Sequence, residues 1–561
     1  MIMNNNISFC KVTRRRVSKA LFSAVCVVAM TFVSLGGNAQ SRNFKLTQGL
    51  EIQYNILRTL ATEYVDTVDF AKLINYGIDA MLQSIDPYTE FVPEEDSESI
   101  EMMTTASYGG IGATVRKDSL GVMIMQTYEG SPAIRYRIEP GDIIMKIDGV
   151  DCSKLTVDEC SKRMRGNPGT QVKFQIKKGR TGQIVETVVT RDKVHTSDVP
   201  YYGMLQAPDS LSEIVPTGYI KISSFTMNGS EDVRKALISL KEEGAQRIIL
   251  DLRGNGGGLM DEATDIVSLF VPKGTLVATA RGRGEGANFD CVTDKAPVDT
   301  LIPLMVLVSS SSASSSEIVA GALQDLDRAI IVGTRTYGKG LVQSFRPVGY
   351  NGKLKLTIAK YYTPSGRCIQ ILDYANRNSD GSVGTVPDSL KKAFKTTHGR
   401  TVYDGGGITP DIEIKPEAYG RPALALSLSG ILEEYAVKFY SENPIDSLVD
   451  SNFQMTDTQY EDFVKYAADR KFDHRSASEI IFEQLLKEAK EEGLYENDKE
   501  AYDLLASKVK LTKEQAIEQN REEIQPLLED EIIQKYKLTA PRIRHMLGYD
   551  TQLWKAVSSW K

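Results

Sequence analysis

The stretch LVSSSSASSSEIVAG, residues 307–321, places seven serines within the eight positions 309–316. Serine-rich runs ordinarily mark flexible linkers, because small polar side chains bury too little apolar surface to offset the entropy of ordering the chain. This run is placed otherwise. Ahead of it stands PLMVLVS (303–309), a continuous apolar run of strand length, and behind it EIVAGALQDL (317–326) has the look of a buried helix. The serines therefore form a strand-to-helix turn, which lifts side chains above a sheet and sets them beside the unpaired N–H groups and positive end of a helix. On the residues alone two uses stay open: helix capping, or a nucleophile whose developing oxyanion the helix end favours.

Outward from this turn the pattern is mixed. GYIKISSF (218–225) reads as a strand, SEDVRKALISLKEEG (230–244) as an amphipathic helix, and QRIILDLRGNGGG (246–258) as a buried strand running into glycines. A helix at 260–270, the serine turn with a helix from Ser315 to Leu326, and the strand AIIVGT (329–334) continue the alternation, which defines an α/β core. Two nucleotide-binding readings fail on spacing. Leu259 stands where a dinucleotide fingerprint starting at Gly254 needs its third glycine. GTRTYGKG (333–340) approaches a phosphate loop, but Gly340 replaces the hydroxyl residue that holds magnesium, and the strand-like LVQSFRPV follows instead of a helix. Glycines after a buried strand can instead bare backbone N–H groups toward a ligand, as an oxyanion hole requires.

A serine nucleophile needs a base. The four histidines, His195, His398, His474 and His545, stand in no triad context, with two in a helical tail and one at a domain junction. Lys339 arrives one strand-and-loop unit after the serine helix, flanked by two glycines. A lysine serves only when neutral, so burial must bring its pKa from about 10.4 toward about 7–8.

With 561 residues the chain is too long for one core. Its formal charge of -7 gives no electrostatic case for nucleic acid. The first forty residues pass from basic KVTRRRVSK through apolar ALFSAVCVVAMTFVSL to GGNAQ, a signal-peptide layout with Gly37 and Ala39 at the positions a signal peptidase reads. The expected cut follows Ala39, and the body of the protein is expected to be exported, to the periplasm or cell envelope; membrane association follows only if the segment stays uncleaved. Of six cysteines, Cys10 and Cys26 leave with that segment. Cys152, Cys160, Cys291 and Cys368 have no metal-ligand spacing, and Cys152 with Cys160 is the nearest pair for a bridge.

Residues from Phe44 to Met103 read as helices broken by DPYTEFVPEED, residues 108–193 as short β-branched runs with glycine punctuation, and residues 420–561 as helices almost throughout. Three starts in this tail, at Thr456, Ser476 and Thr512, carry the capping-box pattern.

YGGIGA (108–113), EGSPAIRYRIEPGDIIMKIDG (129–149) and RGNPGTQVKF (165–174) together resemble a PDZ domain of the bacterial protease-associated kind. The resemblance implies that Gly110, Ile111 and Gly112 present N–H groups to the terminal carboxylate of a peptide while the peptide adds a strand to the sheet edge. Arg135, Tyr136 and Arg137 depart from the small or apolar residues usual before the PGD turn. LDLRGNGGG, SASSSEIVAGALQD and IIVGTRTYGKGLVQ, with GGGITPD behind, resemble the C-terminal processing, or tail-specific, proteases over about residues 50–415.

That resemblance implies a crotonase-like α/β protease core preceded by a β-rich PDZ domain, with helical N- and C-terminal segments. It assigns the nucleophile to Ser314, the general base to Lys339 and a supporting role to Gln343. Oxyanion donors fall on the N–H groups of Ser315 and Gly257, although Ser315 replaces the usual alanine and Gly256 often corresponds to proline. No metal or cofactor is implied. The division expected is signal peptide 1–39, helical segment 43–105, PDZ domain 106–193, protease core 194–415 and helical domain 416–561. The function expected is serine endopeptidase action on protein C-termini, with substrates held by their tails. An adaptor or homo-oligomer through the helical segments stays open. The competing reading is a catalytically silent PDZ scaffold that binds C-termini.

Overall fold

The structure, a computed structural model, describes residues 43–208, 214–443, 449, 453–536 and 539–560. The expected signal segment 1–39, with Cys10 and Cys26, lies outside the described residues. The described residues fall into two compact units that divide between Phe91 and Val92. In the first, α1 (43–63) and α2 (Phe70–Gln83) follow the helical spacing. Asp69 starts α2 by accepting the Lys72 N–H at 3.1 Å. Asp86 folds the DPYTE turn by accepting the N–H groups of Tyr88 and Thr89, both at 2.8 Å.

In the second unit a short helix (Ser97–Thr105) leads into a β-rich region built from β1 (Ser107–Gly110), β2 (Ala113–Asp118), β3 (Gly121–Thr127), β4 (Ile143–Ile147), α3 (Val157–Met164), β5 (Gln171–Lys177), β6 (Ile184–Thr190) and β7 (Asp192–His195). The order β2-β3-β4-β5-β6 is antiparallel throughout, and β1 pairs with β7. Alternation decides its faces: Val172, Phe174 and Ile176 of β5 are buried, while Gln171 and Lys173, which alternate with them, are exposed. Helix α3 starts with a complete capping box between Thr156 and Glu159, and it buries Cys160 and Met164 in the same core.

The next region holds β8 (Tyr201–Met204), β9 (Thr217–Lys221), α4 (Gly229–Glu242), β10 (Arg247–Asp251), α5 (Met260–Ser268), β11 (Leu276–Gly282), β12 (Phe289–Val292), β13 (Leu304–Val308), α6 (Ser315–Asp325), β14 (Ile330–Gly333), β15 (Leu341–Gly349), β16 (Gly352–Tyr362) and β17 (Ile412–Glu413). A six-stranded sheet has the order β8-β9-β10-β13-β14-β17, parallel except for β8. Parallel strands buried on both faces need apolar side chains in both directions, which explains the unbroken runs in β10 and β13. Ile248, Leu250, Leu304 and Val306 join the core with α4, α5 and α6, whereas Ile249, Met305 and Leu307 face the other way. Strands β12, β11, β16 and β15 pair in that order as an antiparallel neighbour.

What covers the second face of the parallel sheet comes from the tail. Helix α7 (Ile431–Glu442), α8 (Asp457–Ala468) and α9 (Arg521–Tyr536) share a core of their own around Tyr435, Phe463 and Leu528, but α10 (Thr551–Ser559) lays Leu553, Trp554, Ala556 and Val557 against Ile249, Met305 and Leu307. Of the three expected capping boxes, those at Thr456 and Thr512 are complete; Ser476 makes only its side-chain half, to the Glu479 N–H at 3.1 Å. The tail also holds the β-rich region: Glu433 pairs with Arg116 of β2 at 2.8 Å, and Lys535 donates to the Met125 carbonyl at 3.2 Å. Among the described residues no helix is long and apolar enough to cross a membrane.

Candidate active site

The serine run is a strand-to-helix turn between β13 and α6, as its flanks dictate. Its serines divide by burial: Ser312, Ser315 and Ser316 are buried, and Ser314 is partly exposed. The buried hydroxyls stitch the turn to the glycine loop after β10. Ser312 Oγ donates to Leu252 O at 2.8 Å, Ser316 Oγ to Asn255 O at 2.9 Å, and Ser315 Oγ to Gly258 O at 2.9 Å.

Ser314 is treated differently. Its backbone sits at φ 55° and ψ -114°, a positive-φ conformation that a residue with a side chain adopts only under strain of about 1–3 kcal/mol. At the head of α6 it stands in a capping-box arrangement with Glu317, which reaches back and accepts the Ser314 N–H at 2.9 Å.

Glu317, fully buried in the first turn of α6, also organises the loop that carries Lys339. Its Oε1 accepts the Thr336 hydroxyl at 2.6 Å and the Gly338 N–H at 2.7 Å, and its Oε2 accepts the Lys339 N–H at 2.8 Å. Burial pushes this carboxyl above its ordinary value, against the pull of the Thr336 hydroxyl and the N–H groups of Lys339, Gly338 and Ser314. Tyr361 of β16 makes a second tie, taking its N–H to Gly340 O at 3.0 Å and its hydroxyl to Ser314 O at 3.2 Å. Gly340 donates its own N–H to Gln370 Oε1 at 2.8 Å. The sequence reading used Glu317 as a landmark only; an acid heading the apolar run IVAGAL was the signal that it has work within the core.

Gly257 lies directly behind Ser314. With φ at 105°, a Cβ added there would stand 2.8 Å from Ser314 Cβ and 2.8 Å from Ala313 O, so only glycine fits. Its N–H donates to Asn255 Oδ1 at 2.8 Å, an internal partner that a substrate oxyanion has to displace. Ser315 opens α6, where main-chain N–H groups lack helical partners. Gln343 is on β15 and donates to Thr357 Oγ1 at 3.4 Å. The ladder shifts register between Val342 and Gln343, so a rule that residues four apart share a side does not carry from Lys339 to Gln343.

Each histidine is engaged elsewhere. His195 meets Ser107, His398 lies beside Asp327, His474 meets Leu511 O, and His545 sits 3.3 Å from Glu529. The four described cysteines are free thiols; burial first, and then the neighbouring Cys160, push the Cys152 thiol up to about 12.

In the β-rich region, Gly110, Ile111 and Gly112 link β1 to β2. Ala133 donates to the Ile111 carbonyl at 2.8 Å and Tyr128 to that of Gly112 at 2.9 Å, tying both carbonyls to one side of the loop. Strand β2 ends the sheet order, next to β3 alone among the described residues, so its outer edge pairs with no other described strand. The departing residues turn toward other strands: Arg135 pairs with Asp192 at 2.6 Å, and Tyr136 meets Thr190 at 3.2 Å.

An α/β core that lifts one serine on a strained turn, with a PDZ module ahead of it, is that of a PDZ-bearing serine peptidase. Family profiles agree: Peptidase family S41 matches residues 216–373, the PDZ domain matches 99–177, and a probable PDZ-protease C-terminal helical domain matches 423–559. The chain is 34% identical over 326 residues to a carboxy-terminal-processing protease of Bartonella bacilliformis, covering 56% of this chain and 71% of that one. A carboxyl-terminal-processing protease of Synechocystis is 38% identical over 295 residues, covering 51% and 66%. A solved photosystem II D1 C-terminal processing protease aligns at 23% identity and a TM-score of 0.36, over 64% of this chain and 86% of that one. The chain belongs to peptidase family S41, among the carboxy-terminal-processing proteases.

Proposed function

We propose that the protein is an exported endopeptidase that cleaves protein substrates near their C-termini through a Ser314–Lys339 acyl-enzyme mechanism. The observation that carries this reading is the pairing of a strained Ser314 with the Lys339 loop on a single carboxylate. Neutral Lys339 takes the proton of Ser314 Oγ, the alkoxide attacks the peptide carbonyl, and the same lysine returns the proton to the leaving amine. Water then hydrolyses the ester. Gly257 and Ser315 donate to the oxyanion once the substrate oxygen has replaced Asn255 at the Gly257 N–H. Gln343 supports the lysine side of the site. No metal or cofactor enters this scheme.

In the proposed division, residues 106–193 capture substrate tails, 194–415 carry the chemistry and 416–561 brace both. The loop of Gly110, Ile111 and Gly112 takes the terminal carboxylate, and the open edge of β2 takes the preceding residues as a strand. The layout of residues 1–39 supports export to the periplasm or cell envelope.

The test is a matched pair of peptides with apolar C-termini, one free and one amidated, cleaved by wild type and by Ser314→Ala with products read by mass spectrometry. Expected are cleavage by wild type alone and slower cleavage of the amidated peptide at low concentration. Equal rates for the two peptides at every concentration would remove tail capture, and binding without cleavage would favour the silent scaffold.

A further inference from the structure

The loop that supplies Gly257 is held from behind by the tail. Asp251 ends β10 with a carboxylate that is 1% exposed. It accepts the Tyr219 hydroxyl at 2.6 Å, the Arg253 N–H at 2.9 Å and the Arg253 guanidinium at 2.6 Å, and Lys221 stands 3.3 Å away. Lys221 also donates to Arg253 O at 2.8 Å, so residue 253 is fixed at both of its main-chain polar atoms.

The far side of the Arg253 guanidinium faces α10. Nη1 and Nη2 engage the two oxygens of Asp550 at 3.1 and 2.5 Å, and Nη1 also meets Gln552 Oε1 at 2.9 Å. Asp550 is itself immobilised as the cap of α10, accepting the Leu553 N–H at 2.9 Å. Gln552 is pinned by its other end to Ile414 O at 2.5 Å. Two carboxylates therefore clamp one guanidinium in a fork-to-fork geometry that fixes orientation as well as charge.

From Arg253 the constraint runs straight into the site. Gly254 donates to Ser309 Oγ at 3.1 Å, Asn255 accepts the Ala313 N–H at 3.1 Å, and Gly257 is two residues further on, against Ser314. We propose that Asp550 is a positioning residue for the peptidase reaction: by clamping Arg253 it holds loop 252–258, and the Gly257 amide with it, in register with Ser314. The inference rests on the peptidase reading above. It assigns to the tail a part in the chemistry that no catalytic motif in residues 420–561 discloses. Helix α10 itself stays docked without Asp550, because Leu553, Trp554 and Val557 are buried against the sheet.

Asp550→Asn keeps the shape and removes the charge, and Asp550→Glu restores the charge on a longer arm. The expected result for Asp550→Asn is a kcat about tenfold lower with KM within about twofold, the pattern of a lost transition-state contact, and a melting temperature lowered by only a few degrees, because Arg253 keeps Asp251 as its other carboxylate. Asp550→Glu should recover most of the rate. Hydrogen exchange of the 252–258 peptide reads the loop without reference to turnover, and it should be faster in Asp550→Asn and near wild type in Asp550→Glu. Wild-type kcat and exchange in Asp550→Asn overturn the proposal. So does a loss of rate that tracks a loss of melting temperature and is not recovered by glutamate. A wild type that cleaves no tail-bearing peptide overturns the peptidase reading itself, and the positioning role falls with it.

Discussion

The backbone amides of Ser314 and Lys339, 25 positions apart in the chain, donate to one atom, Glu317 Oε2, at 2.9 and 2.8 Å. A single buried oxygen thus sets the distance between the turn of the proposed nucleophile and the loop of its proposed base. Glu317→Gln keeps the volume but replaces one acceptor oxygen by an NH₂ group facing two donors. Leaving buried donors unmet costs about 1–3 kcal/mol each. The variant should melt several degrees lower and react with a fluorophosphonate at least about tenfold more slowly. Wild-type labelling in a folded Glu317→Gln protein would show that the shared oxygen does not align the pair.

Gly257→Ala should abolish acylation while leaving most of the fold. The added Cβ meets Ser314 Cβ at 2.8 Å in a backbone conformation that alanine resists, at about 1–3 kcal/mol. Circular dichroism and fluorophosphonate labelling together check this; a variant that labels at the wild-type rate removes Gly257 from the oxyanion hole.

Lys339→Arg should be nearly as damaging as Lys339→Ala, because a guanidinium stays protonated and cannot accept the Ser314 proton. Both variants should fall at least about a hundredfold in kcat with little change in KM. Substantial turnover in the arginine variant would reduce Lys339 to a positive charge.

Asp251 gives a pH signature. Burial alone would raise its carboxyl, but the Arg253 and Lys221 charges, with the Tyr219 hydroxyl, hold it well below the usual carboxylate range. A depressed folded-state pKa contributes stability that is present above the unfolded value of about 3.9 and is lost as pH falls toward the folded one. Asp251→Asn should therefore destabilise by about 3–5 kcal/mol at pH 7, and the gap in melting temperature should start to narrow as pH falls below about 4. A gap that stays constant from pH 7 to pH 3 would mean that the charge on Asp251 contributes nothing.

Local pattern disclosed much of this. Strand β13, the serine turn and α6 follow from one apolar run, one polar run and one helical run, and the fit of Gly257 against Ser314 is the kind of close approach that a glycine cluster announces. What stayed hidden depends on partners far apart in sequence. Nothing in GNGGG says that Asn255 Oδ1 occupies the Gly257 N–H, because that bond needs the loop already folded. The register shift just ahead of Gln343 exists only through pairing with β16, so spacing along the chain does not tell which way that side chain is presented. The apolar stripe of α10 says that one face is buried, but not against which element, and its charged neighbour Asp550 reads as an ordinary cap until Arg253 is seen opposite.

The covering of Ile249, Met305 and Leu307 by Trp554 and its neighbours makes completion of the core depend on the far end of the chain. About 300 residues separate β10 from α10, so until that last helix docks the rear of the parallel sheet is a bare apolar surface, a contact for holding chaperones and an aggregation hazard in any chain cut short before it.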